Sequence, residues 1–349
     1  MPTVEVLSDM QWNGMYLDIN ELEEYGKEIK DKIENLTKDI YQLSGEEFNI
    51  NSTKQLGEIL FEKLKLPVVK KTKSGYSTDV DVLEKLREEH PVIERLLEYR
   101  QLTKLNSTYV EGMKPYINPK TKRIHSFFHQ TITATGRISS TEPNLQNIPT
   151  RFELGKQVRK IFKPEQGKVY IDADYSQIEL VVLAHLSQDK NMCNAFISGT
   201  DVHKATAALI FGVPQEEVTP QMRRTAKTIN FGVIYGMSAF RLANDLGISR
   251  TQAAEFIENY FKTYSSVNNF INSTIQKTEE TGFVQTIFGR KRQIANINSK
   301  NKLEKSGAER MAVNTPVQGS AADIVKKAML DVSKALEEEN TQAKLILQV

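Results

Sequence analysis

Arg223, Lys227, Phe231 and Tyr235 recur every four residues inside TPQMRRTAKTINFGVIYG, Thr219 to Gly236. Thr219 is a good N-cap and Pro220 falls where a helix tolerates proline, so the segment predicts a helix starting here. At 3.6 residues per turn, each four-residue step drifts by about 40°, which leaves the four side chains on one broad face. Two cations followed by two aromatic rings could receive a nucleoside triphosphate, the cations meeting phosphates and the rings packing on sugar and base. An ordinary amphipathic helix has the same spacing, and the segment alone leaves both readings open.

A second candidate is KVYIDADYSQIEL, Lys168 to Leu180. It predicts an apolar strand ending in acids and then a tight turn. Alternation along a strand would put Asp172 and Asp174 on one face near its end. A carboxylate there could hold a hard cation such as Mg²⁺, which takes oxygen ligands and keeps waters and substrate phosphates as the others. Two solvated acids closing an edge strand fit equally well.

Taken together, DYSQIEL (Asp174 to Leu180) and RRTAKTINFGVIYG (Arg223 to Gly236) resemble the two best-known motifs of the DNA polymerase I family, the family A DNA polymerases. TATGRISSTEPNLQNIP (Thr133 to Pro149) and ERMAVNTPVQGSAADIVKKAM (Glu309 to Met329) resemble two further blocks, in the family's order. The resemblance runs from about residue 2 to the last residue. It implies an α+β right-hand polymerase: an antiparallel-sheet palm, a helical thumb and mostly helical fingers. The expected segments are a palm lead-in at 1–20, thumb at 21–110, palm at 111–200, fingers at 201–300 and palm again at 301–349.

The same resemblance implies template-directed DNA synthesis. A primer 3′-hydroxyl attacks the α-phosphate of a dNTP, an in-line displacement suited to two Mg²⁺ ions about 3.5–4 Å apart. Asp174 matches the family's first metal-binding carboxylate, and the carbonyl of Tyr175 is expected to help hold the triphosphate-side ion. Arg223, Lys227 and His203 match triphosphate contacts, their donors neutralising the transferring and leaving oxygens. Gln177 joins the nucleotide-binding set. Glu179 matches a steric gate against the ribose 2′-hydroxyl, Tyr235 closes that pocket and bonds Glu179, and Phe231 lines the sugar side. The Phe231 ring has no hydroxyl to replace a missing 3′-hydroxyl, so discrimination against dideoxynucleotides is expected. Arg137, Asn147, Asn314 and Gln318 resemble residues that line the minor groove at the primer terminus, where donors can test pairing geometry without reading sequence. Arg310 resembles a structural partner beside them, and a buried salt bridge is an equal reading. A ribonucleotide-polymerising relative is disfavoured by Glu179.

The chain departs from the family pattern at LILQV, Leu345 to Val349, where the family's strand leads into His-Asp-Glu and its second metal carboxylate. A piece of a longer polymerase is therefore expected, with the palm C-terminally incomplete. The competing reading is a primer–template and dNTP-binding fragment without catalysis. Exonuclease segments that usually precede the family's polymerase domain are not in this sequence, and Met1 sits where the family commonly has an internal methionine. Val181 stands where arginine is usual, and His129 where asparagine is frequent.

The elements that must position these groups follow from periodicity. Leu22, Tyr25, Ile29, Ile33, Leu36, Ile40 and Leu43 predict a long amphipathic helix packed against one partner. Ser52 to Gln55 offers a capping box, and Val68 to Ser77 a hairpin or extended loop around Ser74-Gly75. Residues 309–336 predict another helix, residues 1–20 a strand-like lead-in, and Leu345 to Val349 the start of a strand.

At 349 residues, two or three subdomains are expected. Hydrophobic content of 39% and charged content of 26% describe a soluble globular chain. No apolar run reaches the length of a membrane span and no signal pattern opens the chain, so neither a span nor export is supported. The family resemblance implies a monomer in the cytoplasm, at the bacterial nucleoid. Cys193 has no internal disulfide partner. Net charge is only +2, so contact with primer–template DNA must come from local patches. Lys63, Lys65, Lys70, Lys71 and Lys73 form one, and Arg290, Lys291 and Arg292 another; both are expected to meet phosphates without reading sequence.

Overall fold

The computed structural model describes every residue except Met1, Ser74, Thr150, Arg151 and Phe152, and leaves the side chains of Glu153 and Leu154 undescribed. The fold is α+β, mostly helical, with small two-stranded antiparallel sheets. The chain divides into two compact units. One comprises residues 8–128, 140–171 and 345–349; the other comprises 1–7, 129–139 and 172–344.

The first unit is organised by helix α1, Ile19–Ser44, which the apolar stripe predicts. Asp18 caps it, accepting from the backbone N–H of Asn20 and Glu21, and Gly45 ends it in the left-handed region at φ 73°. Leu22, Tyr25, Ile29, Leu36 and Ile40 are buried, with Ile33 and Leu43 packed on the same core. The main partner is α2, Pro91–Leu105. At Ser52 only half of the expected capping box forms. Ser52 Oγ accepts from Gln55 N, but Gln55 Oε1 turns to the N–H of Asn49 at 2.7 Å. The basic segment is a hairpin, Lys71 opposite Tyr76 and Thr72 opposite Gly75. Of its expected turn, Ser74 lies outside the described residues.

Two strand expectations are not met, and a third is met only at Met15–Tyr16, which pairs antiparallel with Arg123–Ile124. The lead-in holds a helix, Thr3–Asn13, because Thr3, Val6, Leu7 and Met10 are buried at helical spacing. Residues 168–175 form no strand, and Val169 and Ile171 are 79% and 85% exposed. Residues 345–349 are likewise coil. A strand exists only through pairing, and neither run has a ladder partner among the described residues. Leu347 instead packs on the first unit's core, where Gln146 Nε2 donates to Gln348 O at 3.1 Å.

The second unit is a helical assembly. Its principal elements are α3 (Ile178–Ser187), α4 (Val202–Phe211), α5 (Pro220–Ile234), α6 (Arg250–Thr263) and α7 (Ser265–Thr281). A hairpin follows, β1 (Phe283–Gln285) with β2 (Lys291–Gln293), and then α8 (Lys302–Glu338). Leu180, Leu183, Ile229, Val233, Tyr260, Tyr264 and Val317 share one core that packs α3, α4, α5, α6 and α8 together. A complete capping box occurs here, at Ser249 and Gln252 before α6.

Candidate nucleotide site

Helix α5 begins where its sequence predicts. Thr219 Oγ1 accepts from Met222 N at 3.2 Å and Pro220 occupies the first turn. Its buried residues are Thr225, Ala226, Ile229, Asn230, Gly232, Val233 and Ile234. Arg223, Lys227, Phe231 and Tyr235 therefore line the side turned away from the core, with Lys227 and Tyr235 exposed and Arg223 and Phe231 half-buried. The chain leaves α5 at Gly236 with φ +63°, where a Cβ would lie 2.6 Å from Arg310 Cγ, so only glycine fits this turn.

Helix α3 supplies the other wall. Gln177 adopts the left-handed conformation at φ 55° just before it, and its Oε1 is buried without a hydrogen-bond partner. Glu179, in the first turn and 7% exposed, receives two donors on one carboxylate. Tyr235 OH donates to Oε2 at 2.8 Å and Arg137 donates to Oε1. A carboxylate at a helix N-terminus also gains from the helix dipole. Burial raises the Tyr235 phenol above its ordinary range, and its bond to Glu179 raises it further, while the Gln318 amide on the same phenol acts the other way. Arg137, Tyr175, Gln177, Ile178, Glu179, Phe231 and Tyr235 enclose a depression of about 290 Å³.

The cationic end of α5 meets α4. Arg223 Nε donates to Asp201 Oδ2 at 2.7 Å, while Asp201 Oδ1 caps α4 through His203 N and Lys204 N. Burial would raise the Asp201 carboxyl, but Arg223 and the two backbone donors bring it below the ordinary range. His203 is buried beside the Phe231 ring, centroids 5.7 Å apart. Burial takes its basicity down to about 4, Asp201 pulling up and Arg223 and Lys227 pushing down, so the ring is neutral at neutral pH.

The remaining candidates fall in different places. Asp174 and Tyr175 lie on exposed coil. Their donor set, one carboxylate and a backbone carbonyl, suits a divalent cation that takes its other ligands from waters and a triphosphate. Among the described residues no three His, Cys, Asp or Glu side chains converge as a metal centre. Asn314 and Gln318 lie on α8, with Asn314 Oδ1 buried and unpartnered. Arg310 is exposed and bonds Ser306 at 2.8 Å rather than forming a buried ion pair.

Asn147 and the lysine patch belong to the other unit. The Asn147 carbonyl accepts from Tyr109 OH. Lys70 pairs with Asp79 at 3.0 Å, Lys71 sits over the Tyr76 ring, and Lys73 is exposed.

The second basic patch departs from its expected role. Arg290 Nε donates to Asp323 at 2.9 Å, and its Nη2 to Thr135 O and Gly319 O. It thus ties the hairpin to α8 and to the Thr133–Arg137 loop. At Gly136, φ +83°, a Cβ would stand 2.5 Å from the Arg290 guanidinium carbon. Arg292 is also engaged, donating to Thr315 Oγ1 at 2.7 Å. Asp201, Asn230 and the Arg290–Asp323 pair were not foreseen as part of the site's framework. Only Asp201 carries a local signal, a capping residue ahead of an apolar helix.

The model of DNA polymerase family A matches residues 19–349. DNA polymerase I of Caldicellulosiruptor bescii is 52% identical over the whole of this chain, which covers 41% of that protein. The Geobacillus stearothermophilus enzyme is 50% identical with 40% covered, and the thermostable DNA polymerase I of Thermus aquaticus 47% with 42% covered. The chain thus spans about two fifths of the length of these relatives. The polymerase domain of Pol1 from M. smegmatis, solved with DNA primer-template and dNTP, superposes with a TM-score of 0.92 at 40% identity, over all of this chain and 62% of that one. The chain belongs to DNA polymerase family A.

Proposed function

We propose that the protein carries out template-directed DNA synthesis, adding deoxynucleotides from dNTPs to a primer 3′-hydroxyl. The observation that carries this is that Phe231 and Tyr235 of the α5 stripe line one depression with Glu179, whose carboxylate Tyr235 bonds. Arg223 and Lys227 hold the triphosphate, and guanidinium and ammonium donors offset charge on the leaving oxygens. Phe231 and Tyr235 bound the sugar and base. Glu179 fills the space a 2′-hydroxyl would need. Asp174 and the Tyr175 carbonyl would hold Mg²⁺, which would supply Lewis-acid activation of the 3′-hydroxyl and charge stabilisation of the departing pyrophosphate.

Arg137, Arg310, Asn314 and Gln318 contact the primer terminus in this reading; on the other unit, Asn147 also contacts DNA, and Lys70, Lys71 and Lys73 meet duplex phosphates. Residues 21–110 act as thumb, 201–300 as fingers and the rest as palm. The working form is a monomer in the bacterial cytoplasm; no helix among the described residues is long and apolar enough to cross a membrane. A second reading, binding of primer–template and dNTP without synthesis, is favoured by the absence of a converging acidic cluster among the described residues.

Primer extension by the 349-residue chain with Mg²⁺ and four dNTPs tests the proposal, with Asp174→Ala as control and DNA binding measured in parallel. Extension lost in the control supports synthesis. Binding without extension supports the second reading, and neither would refute both.

A further inference from the structure

Behind the α5 stripe lies a chain of buried polar side chains that has no part in lining the depression. Thr206, Asn230 and Tyr264 are fully buried, and His203 is 2% exposed. Thr206 Oγ1 stands 2.7 Å from Val202 O, 2.9 Å from Tyr264 OH and 3.1 Å from Asn230 Nδ2. The same Asn230 Nδ2 is 3.0 Å from His203 Nδ1.

The shortest of these contacts orders the protons. A backbone carbonyl only accepts, so the single Thr206 hydroxyl proton goes to Val202 O, one turn earlier. Thr206 Oγ1 then accepts from Tyr264 OH and from one N–H of Asn230. The second Asn230 N–H remains for His203 Nδ1, which must accept it. In a neutral imidazole the proton then sits on Nε2. Asn230 Oδ1 also stands 3.3 Å from Thr206 Oγ1; the orientation with Nδ2 nearer, at 3.1 Å from Thr206 Oγ1 and 3.0 Å from His203 Nδ1, is the one on which the tautomer depends.

We infer that Asn230 is a positioning residue which, through Thr206 and Tyr264, holds His203 as the neutral Nε2–H tautomer. This deepens the triphosphate reading and rests on it for its use: His203 then meets a phosphate oxygen as an uncharged donor. The charged groups acting on the ring are Asp201 at its own helix N-terminus and Arg223 and Lys227 from α5. Tyr264 is the titratable group behind Thr206, its phenol raised by burial. A cationic imidazole would repel the two cations that hold the same ligand. A neutral donor adds a directed bond without that repulsion, and burial keeps the ring neutral well below pH 6.

Nitrogen NMR of the ring-labelled 349-residue chain tests this, with His203 picked out from the five histidines by loss of its signals in His203→Gln. The expected result is a proton on Nε2, none on Nδ1, and no titration between about pH 8 and pH 5. Asn230→Asp offers only acceptors in its ionised form; it should move the proton to Nδ1 and raise the ring's proton affinity at least roughly tenfold. Thr206→Val, which releases the amide, should give a mixture of tautomers. A wild-type Nδ1–H tautomer, or titration in the ordinary histidine range, overturns the inference even if neither variant folds. Added dATP should shift the Nε2 signal. The expected tautomer with an unmoved Nε2 would support the Asn230 role and overturn the His203–phosphate contact instead.

Discussion

Tyr235 and Glu179 stand 56 residues apart in sequence and 2.8 Å apart in space, the phenol of one donating to Oε2 of the other. The bond joins the end of α5 to the first turn of α3, and Arg137 takes the remaining carboxylate oxygen. Glu179, which helps line the depression, thereby has both oxygens engaged. In the proposed role of Glu179 as a gate, such tethering would let it exclude a hydroxyl, where a mobile side chain would move aside.

Replacing Glu179 with Ala should open that space. The preference for dATP over ATP, read as a ratio of binding affinities, should fall by about 1–3 kcal/mol, roughly five- to a hundredfold. Tyr235→Phe, which removes the tether and keeps the ring, should have a smaller effect in the same direction. An unchanged ratio in Glu179→Ala would remove the gate assignment.

Arg290 is expected to act on stability rather than on DNA affinity. Its loss in Arg290→Ala strands Asp323, whose side chain is 12% exposed with Oδ2 already unpartnered, and opens two backbone carbonyls. The cost should be about 2–3 kcal/mol in urea unfolding. Arg290→Lys restores charge without the fork and should recover part of it. A variant of wild-type stability that binds DNA more weakly would return Arg290 to the phosphate-contact role.

Lys71 and Lys73 should show the opposite pattern. If each meets a phosphate, each alanine variant lowers the slope of log affinity against log salt by about 1, with little loss of stability. Lys70, already paired with Asp79, should contribute less. Unchanged slopes would make this hairpin an ordinary solvated surface.

Asp201 sets a pH dependence whose sign follows from its lowered carboxyl. Its charge-dependent contribution is present above the unfolded value of about 3.9 and is lost as pH falls through the lower folded value. Asn keeps the capping oxygen and loses only the pairing with Arg223, whose partners are 43% and 35% exposed, so Asp201→Asn should cost no more than about 1 kcal/mol at pH 7. The gap between the two proteins should close below about pH 4. A gap that widens in acid would contradict the pairing.

The helical parts of the fold were legible because their signals are local. The Leu22-to-Leu43 stripe, the Thr219-Pro220 start of α5 and the four-residue stripe along it each follow from turn geometry and capping within one segment. The strand at 168–175 was misread for the complementary reason: an apolar run shows a capacity to pair, while a strand requires a neighbour, which no local pattern can supply. In the basic run at 290–292, charge in sequence did not show that Arg290 and Arg292 bond protein oxygens while Lys291 stays exposed. Residue types and spacing, together with the family they resemble, therefore determined which side chains are available for nucleotide chemistry. The resemblance already implied the Tyr235–Glu179 bond; only the tertiary structure decided that Arg137 joins it on the same carboxylate, that Asn230 meets His203, and that Arg290 bonds Asp323. Each of these depends on buried groups from distant segments satisfying one another, a condition that applies only once the core has closed around them.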